Sequence, residues 1–443
     1  MPTEFDRRTF LKTASAAGVG TWIASRASPA WGAASSPNEK LVVAVVGTNG
    51  RGLVHAQGFA SAANSEVAYI CDVDDAAMAK GIATTSKFQR RAPKGVKDFR
   101  RVLDDKAVDA ISIATPDHWH TPAAIMALKA GKHVYVEKPS GHNPREGELL
   151  VAAQQKYGKV VQMGNQQRSG PRSIEAMAAI REGAIGRAYY ARAWYANARA
   201  SIGRGTAAPV PAGLDYELWQ GPAPRTPYRD NVIHYNWHWF RRWGTGEVCN
   251  NGTHEIDVCR WALGVDYPTR VTFTGGRYHF KDDWEFPDTQ TVGFEFEGER
   301  AIVWNGQSCN GFAAERSGRG ASIHGTEGTI VIDRNGYTHF DTKNKLVREN
   351  KGDERGDGLD TRAQDRLTDL HIANFIAAVR TGVRLNAPIE DGRKSSLLCH
   401  LGNIAYRTGH DLRIDPSDGH ILRDADAQQL WSREYAPGWA PTV

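Results

Sequence analysis

Hydrophobic positions change their period along this chain. Residues 41–47 (Leu41-Val42-Val43-Ala44-Val45-Val46-Gly47) form an unbroken aliphatic run closed by glycine, the pattern of a strand buried on both faces. A helix is predicted from Arg51. Strand-like runs recur at 66–73, 108–114, 134–136 and 160–164, with helical patterns at 76–83 and 122–130 between them. Strands alternating with helices imply right-handed crossovers and a parallel sheet, here spanning residues 38–165. The second half is different. Segments 188–194, 270–275, 289–297, 300–305 and 329–333 are rich in Val, Thr and aromatics, and some are separated by tight turns such as Glu297-Gly298-Glu299. They predict a large, mostly antiparallel open sheet in an α+β domain. The Pro/Gly-rich stretch 199–232 reads as a long loop. Helices are predicted at 370–380 and 395–406, the first returning to the parallel-sheet domain.

At 443 residues the chain is too long for one ordinary domain. The predicted division is a leader and linker over 1–37, the α/β domain over 38–165, and an α+β domain over 166–443. The leader opens with Asp6-Arg7-Arg8-Thr9-Phe10-Leu11-Lys12, followed by small apolar residues over 13–34. That run is short and weak for a membrane span, and Ala30, Gly32 and Ala33 offer a cleavage site. The pattern is that of a twin-arginine signal, so the expected partner is the twin-arginine export machinery and the expected location is periplasmic or otherwise exported. No second apolar run of spanning length occurs, so no stable membrane insertion is expected. The net charge of +5 is mild and no dense Lys/Arg run occurs, which argues against nucleic acid. The five cysteines are odd in number with no Cys-x-x-Cys, so buried free thiols are expected rather than a disulfide framework.

The chemistry begins at Gly47-Thr48-Asn49-Gly50-Arg51-Gly52. Backbone amides at a helix N-terminus favour phosphate, Gly47 permits the tight turn, and Gly52 lets the helix pack closely. Asn49 replaces the usual middle glycine, with Gly50 beside it. Asp72 lies twenty residues beyond Gly52. An acid there accepts ribose hydroxyls and repels a 2′-phosphate, so the turn reads as a Rossmann site for NAD rather than NADP. Glu137-Lys138-Pro139 sits at the carboxyl end of a predicted parallel strand, where such sheets bind ligands, and Pro139 is a candidate cis residue.

With these motifs the chain resembles the glucose–fructose oxidoreductase / inositol dehydrogenase (Gfo/Idh/MocA) family. The resemblance rests on the glycine turn, Thr115-Pro116 with His120 downstream, Ala130-Gly131-Lys132-His133-Val134 and Glu137-Lys138-Pro139. It continues through Gly183-Ala184-Ile185-Gly186 and Asn251-Gly252-Thr253-His254-Glu255-Ile256-Asp257. It implies a catalytic Lys138 and His254, with Thr115, Pro116, His120 and Glu137 near the nicotinamide. Many members carry Asp four residues before that histidine; here Asn250 stands there and cannot accept a proton. The resemblance also implies a carbohydrate substrate and a homo-oligomer, dimer or tetramer.

His234-Tyr235-Asn236-Trp237-His238-Trp239-Phe240 is dense in rings. If extended, it places Tyr235, Trp237 and Trp239 on one side and His234, Asn236 and His238 on the other. Aromatic faces stack on sugar C–H surfaces; packing is the alternative. A metal on His234 and His238 lacks a third ligand, so no metal is expected. Gln167 and Arg168 follow a predicted strand end and are candidate substrate contacts with Tyr235, Trp237, His238, Asn250 and His254. Three functions fit. The first is oxidation of a sugar or glycoside ring hydroxyl by tightly bound NAD. The second is redox-neutral glycoside hydrolysis or lysis through a transient 3-keto sugar. The third is sugar binding on an inactive scaffold.

Overall fold

Six parallel strands carry the first half of the chain: β1 (Leu41–Val46), β2 (Ser65–Cys71), β3 (Lys94–Val96), β4 (Ala110–Ile113), β5 (His133–Val136) and β6 (Val161–Met163). The computed structural model describes residues 40–313, 317–352 and 361–443. Lys40–Val443 forms one compact unit. The expected Arg7-Arg8 leader lies outside the described residues. Strand order is β3-β2-β1-β4-β5-β6. Val43, Ala44 and Val45 are fully buried, because helices cover both faces of the strand. Order reverses between β1 and β4, which opens a crevice at their carboxyl ends.

The second sheet runs β15-β14-β13-β12-β7-β10-β9-β8-β16. Its strands are β7 (Ala188–Ala198), β8 (Arg270–Gly276), β9 (Thr289–Phe296), β10 (Arg300–Gln307), β12 (Arg319–Gly325), β13 (Gly328–Asp333), β14 (Gly336–Asp341), β15 (Leu346–Lys351) and β16 (Leu412–Arg413), while β11 (Cys309–Asn310) pairs with β7 off this path. The β10–β7 pair is parallel and the other pairs are antiparallel. Helices Thr253–Leu263 and Ile389–Thr408 cover one face, sharing a core in which Ile256, Leu398, Phe294, Trp304 and Ile323 are essentially inaccessible. This is the expected α/β domain followed by an α+β domain with a large, mostly antiparallel sheet.

Helix Thr361–Thr381 packs on the first sheet: Ile372, Phe375 and Ile376 share a core with Val43, Val45, Phe59 and Tyr135. It is longer than the predicted 370–380 because its first turns are polar and leave no apolar period to read.

Residues 199–232 are more than a loop. The short helix Tyr216–Gln220 is capped by Asp215, whose carboxylate accepts from Leu218 N–H at 2.9 Å. Leu214, Tyr216, Trp219, Tyr228 and Val232 bury themselves with Phe240 and Trp243. Trp119 Nε1 donates to the Trp219 carbonyl at 3.0 Å and Asp215 N–H to the Val73 carbonyl at 2.9 Å, so this arm lies on the first domain. The alternation read over 234–240 does not hold, because Asn236–Trp239 is a 3₁₀ turn. Trp239 is buried and stacks on Trp284 (3.8 Å, 12°), meeting Tyr235 only edge-on at 6.4 Å. Cys71, Cys249, Cys259 and Cys399 are buried free thiols, and Cys309 is half-buried and free. Among the described residues, no helix is long and apolar enough to cross a membrane.

Candidate active site

The crevice at the β1/β4 switch opens into a cavity of about 530 Å³, lined from both domains. Its floor is the predicted glycine turn. Gly47 has φ +84°, and a Cβ there would lie 2.8 Å from the Ala114 carbonyl oxygen. A Cβ on Gly52 would meet the Gly47 carbonyl oxygen at 1.7 Å, so only glycine lets helix Arg51–Ser61 start this close to β1. A Cβ on Gly50 would meet nothing within 4 Å. The first turn of that helix holds no acidic residue and has no side-chain cap, leaving its amides for an anion. Thr48 N–H donates to Asp72 Oδ2 at 2.6 Å and Asp74 N–H to Oδ1 at 3.0 Å, which fixes the carboxylate at the end of β2. Burial pushes the Asp72 pKa up against those bonds. A glycine cradle, open amides and a fixed acid are what a dinucleotide needs. Gly47–Gly52 would hold the pyrophosphate and Asp72 the adenosine ribose. Thr48, Asn49, Thr115 and Pro116 also line the cavity.

Glu137 is buried beneath this floor. Its Oε1 accepts from Arg51 Nε (3.1 Å), His55 Nε2 (3.0 Å) and Gln166 Nε2 (2.7 Å). Burial opposes its ionisation, but Arg51 and His55 outweigh that and hold its pKa well below the usual carboxylate range. The Arg51 side chain also reaches Thr368, so it serves this network and offers its backbone amide to the turn. The Lys138–Pro139 bond is cis. Lys138 Nζ donates to the Asn250 backbone carbonyl at 2.7 Å and to its Oδ1 at 3.1 Å. Burial lowers the Lys138 pKa, opposed by Glu137 and Asp117.

Asn250 lies in a π-turn, Val248–Gly252, that leads into helix Thr253–Leu263 and so presents Asn250, Asn251 and His254 to the cavity. Burial, then the charges of Arg334, Lys138 and Arg319, hold the His254 pKa well below 6.5, so its imidazole is neutral. His238 is held neutral mainly by burial too. Its Nδ1 donates to the Tyr235 carbonyl at 2.6 Å, which leaves Nε2 as an acceptor, and its ring stacks on Trp237 at 3.6 Å.

The cavity therefore gathers Lys138, His254, Asn250, Tyr235, Trp237 and His238. His120 reaches it too, but its two ring nitrogens face the Pro139 (2.7 Å) and Thr115 (2.9 Å) carbonyls, tying the ends of β4 and β5 together. Gln167 and Arg168 lie elsewhere. Gln167 donates to the Asp333 carbonyl, and Arg168 is bidentate to Asp257 (2.7 and 2.9 Å) and pairs with Asp391. These contacts all lie within residues 166–443, and neither residue lines the cavity. Sequence reasoning missed Asp117, Tyr195, Arg199, Arg319 and Arg334, all of which line it. Asp117 follows Thr115-Pro116 at a strand end, a position that could have flagged it. It is buried, its carboxylate accepts from Thr245 Oγ1 at 2.5 Å, and burial raises its pKa. Among the described residues, no group of His, Cys, Asp and Glu side chains is placed to hold a metal ion.

A parallel sheet with a glycine cradle and a mixed second sheet roofing one cavity define a two-domain dinucleotide-dependent oxidoreductase architecture. Residues 41–165 match the NAD-binding Rossmann-fold model of the Gfo/Idh/MocA oxidoreductase family, and residues 222–409 match its C-terminal α/β domain model. The chain belongs to that family and carries its NAD-binding domain. It is 27% identical over 209 residues to a "glycosyl hydrolase family 109 protein 2" of Shewanella sp. strain ANA-3, covering 43% of this chain and 46% of that protein. It is 30% identical over 163 residues to an inositol 2-dehydrogenase of Rubrobacter xylanophilus, covering 36% and 45%. The chain thus spans about half the length of the curated relatives it matches. A levoglucosan dehydrogenase solved with NADH and levoglucosan superimposes with TM-score 0.64 at 19% identity, over 84% of this chain and 99% of that one, a likeness of fold.

Proposed function

We propose that this protein oxidises a ring hydroxyl of a sugar or glycoside, with NAD tightly held as the hydride acceptor. The observation that carries the reading is one cavity in which Lys138 and His254, from different domains, face the glycine cradle and Asp72. Bound NAD supplies hydride chemistry at its nicotinamide; the chain supplies position and proton handling. Neutral His254 is the acceptor for the hydroxyl proton. Lys138, aimed by Asn250, donates to the substrate oxygen and stabilises charge as it develops there. Tyr235, Trp237 and His238 offer faces and an acceptor for a pyranose ring. The aromatic arm over 199–243 excludes water from one wall.

Redox-neutral glycoside cleavage is the second reading. It is favoured by the family 109 hydrolase relatives and by His238, a second neutral imidazole available to remove a proton beside a transient ketone. Export through Arg7-Arg8 and assembly as a dimer or tetramer belong to the same proposal. Incubating purified protein with a glycoside panel, while following both reduced cofactor and bond cleavage, separates the readings. Reduction without cleavage supports the dehydrogenase. Cleavage without net reduction supports the hydrolase. Neither, across the panel, removes both. Normal export of a precursor with Arg7→Lys and Arg8→Lys would remove the twin-arginine element.

A further inference from the structure

Three arginines line the substrate end of the cavity, and they are not equivalent. Arg199 donates to Glu247 at 2.9 Å and to the hydroxyls of Tyr235 (2.7 Å) and Tyr195 (3.0 Å). Arg319 is bidentate to Glu255 at 2.8 and 3.0 Å and reaches Asn251 Oδ1 at 3.1 Å. Both have the acid that a buried guanidinium requires. Arg334 has none: among the described residues no carboxylate lies within salt-bridge distance, and no hydrogen-bond acceptor meets its side chain.

Its position makes that unusual. Arg334 and Asn335 form the two-residue turn between β13 and β14, where a side chain is ordinarily solvated. Here it is half-buried and lines the cavity with His254. The neighbouring Asp333 is already used, by Lys351 and by the Asn335 and Gly336 amides. Arg334 is the strongest of the charges acting on His254, and burial and Arg319 push its own pKa down. Glu255 is the acid that opposes this at Arg334, but it is already bidentate to Arg319, and the other acids near this end are committed as well. Glu137 is saturated by Arg51, His55 and Gln166, and burial favours the neutral form of Asp117. Lys138 adds a further cation whose partners are the neutral Asn250 acceptors. The substrate end therefore carries positive charge without a matching acid.

We propose that Arg334 is the receptor for an acidic substituent, so that the substrate is an anionic sugar bearing a carboxylate or a sulfate ester. A guanidinium fork matches either group through two parallel N–H···O bonds. The inference rests on the sugar-oxidoreductase reading above and narrows its substrate class. An anion on Arg334 also relieves the charge pressing on His254, coupling recognition to the base.

The test uses NAD-loaded full-length protein and three matched probes: a methyl glucoside, a methyl glucuronoside and a methyl glucoside 6-sulfate. Calorimetric titration gives affinities for wild type, Arg334→Ala and Arg334→Lys, with released nucleotide and melting temperature measured on each. In wild type, an acidic probe should bind about a hundredfold more tightly than the neutral one. Arg334→Ala should collapse that ratio to within a few-fold, and Arg334→Lys should retain part of it. Preference for the carboxylate alone, or for the sulfate alone, supports the proposal and identifies the group. Equal binding of neutral and acidic probes by wild type overturns it. So does an acid preference that survives in Arg334→Ala, or a variant that loses nucleotide while the ratio stands, which would assign Arg334 to the cofactor. Failure of all three probes to bind also overturns it. Acid preference with no hydride transfer from any probe leaves this proposal standing and fails the oxidoreductase reading; reduction by neutral sugars alone does the reverse.

Discussion

Lys138 Nζ is held at 2.7 Å by the Asn250 carbonyl and at 3.1 Å by its side-chain oxygen, across the boundary between the two domains. Aspartate at 250 would be able to take a proton; asparagine accepts only hydrogen bonds. The contact fixes the ammonium over the cavity, and in the proposed reaction proton acceptance falls to the neutral histidines. Lys138→Ala should lower turnover roughly a thousandfold while bound NAD is retained, because the glycine cradle does not involve the lysine side chain. Single-turnover rates with nucleotide content measured on the same sample check this. Unchanged turnover would remove Lys138 from the chemistry.

His254 is kept neutral by burial and by three cations, Arg334, Lys138 and Arg319. The acidic limb of kcat/KM should therefore lie well below pH 6.5. Removing a cation favours the protonated ring, so Arg334→Ala should move that limb to higher pH. His254→Gln should lower turnover about a hundredfold or more and remove the limb. A limb that stays in place in the arginine variant would contradict the assignment of His254 as base.

Asp72 fixes the Thr48 amide and, in the proposed site, would face the ribose. Asp72→Ser should weaken NAD about tenfold or more and narrow its advantage over NADP, by loss of a charge-assisted acceptor and of repulsion toward a 2′-phosphate. Titration with both nucleotides reads the ratio; an unaltered ratio would refute the role.

Gly52→Ala tests the cradle itself. A methyl 1.7 Å from the Gly47 carbonyl oxygen cannot be accommodated without opening the turn. Nucleotide content should fall and the melting temperature should drop, consistent with a cost of several kcal/mol at an overpacked site. A variant that retains both would show a different turn.

Acid stability follows from three other histidines. Burial lowers the pKa of His118 to about 3, and those of His371 and His400 to about 4. All three are charged in the unfolded chain below pH 6.5 and neutral in the folded one. Stability present above 6.5 is lost as pH falls toward 4, by roughly 1.4 kcal/mol per pH unit for each. Denaturant melts at pH 7.5 and 5 should differ accordingly; identical midpoints would rule the effect out.

The parallel sheet, Gly47–Gly52 and Asp72 were legible because local constraints write them: buried strands are aliphatic, and only glycine tolerates those contacts. Lys138 was legible from its place at the carboxyl end of a parallel strand, and His254 only through family resemblance. Gln167 and Arg168 were misplaced because a polar run after a strand looks the same whether it faces a cavity or an ion pair. The partners of Arg168, Asp257 and Asp391, are remote in sequence. Arg334 was invisible for the opposite reason. A hairpin-turn arginine reads as solvated, and only the packing of the sheet against the first domain turns it inward.

The central claim is hydride removal from a sugar carbon at the Lys138/His254 site. The most direct measurement is a rapid-mixing single turnover of NAD-loaded protein with neutral and acidic glycosides, following reduced nicotinamide, beside Lys138→Ala carrying the same NAD. The account predicts a burst of reduced cofactor in the wild type, including a transient one if bond cleavage returns the hydride. The burst should be about a thousandfold slower in the variant. No reduction with any glycoside, or equal bursts in the two proteins, would contradict it.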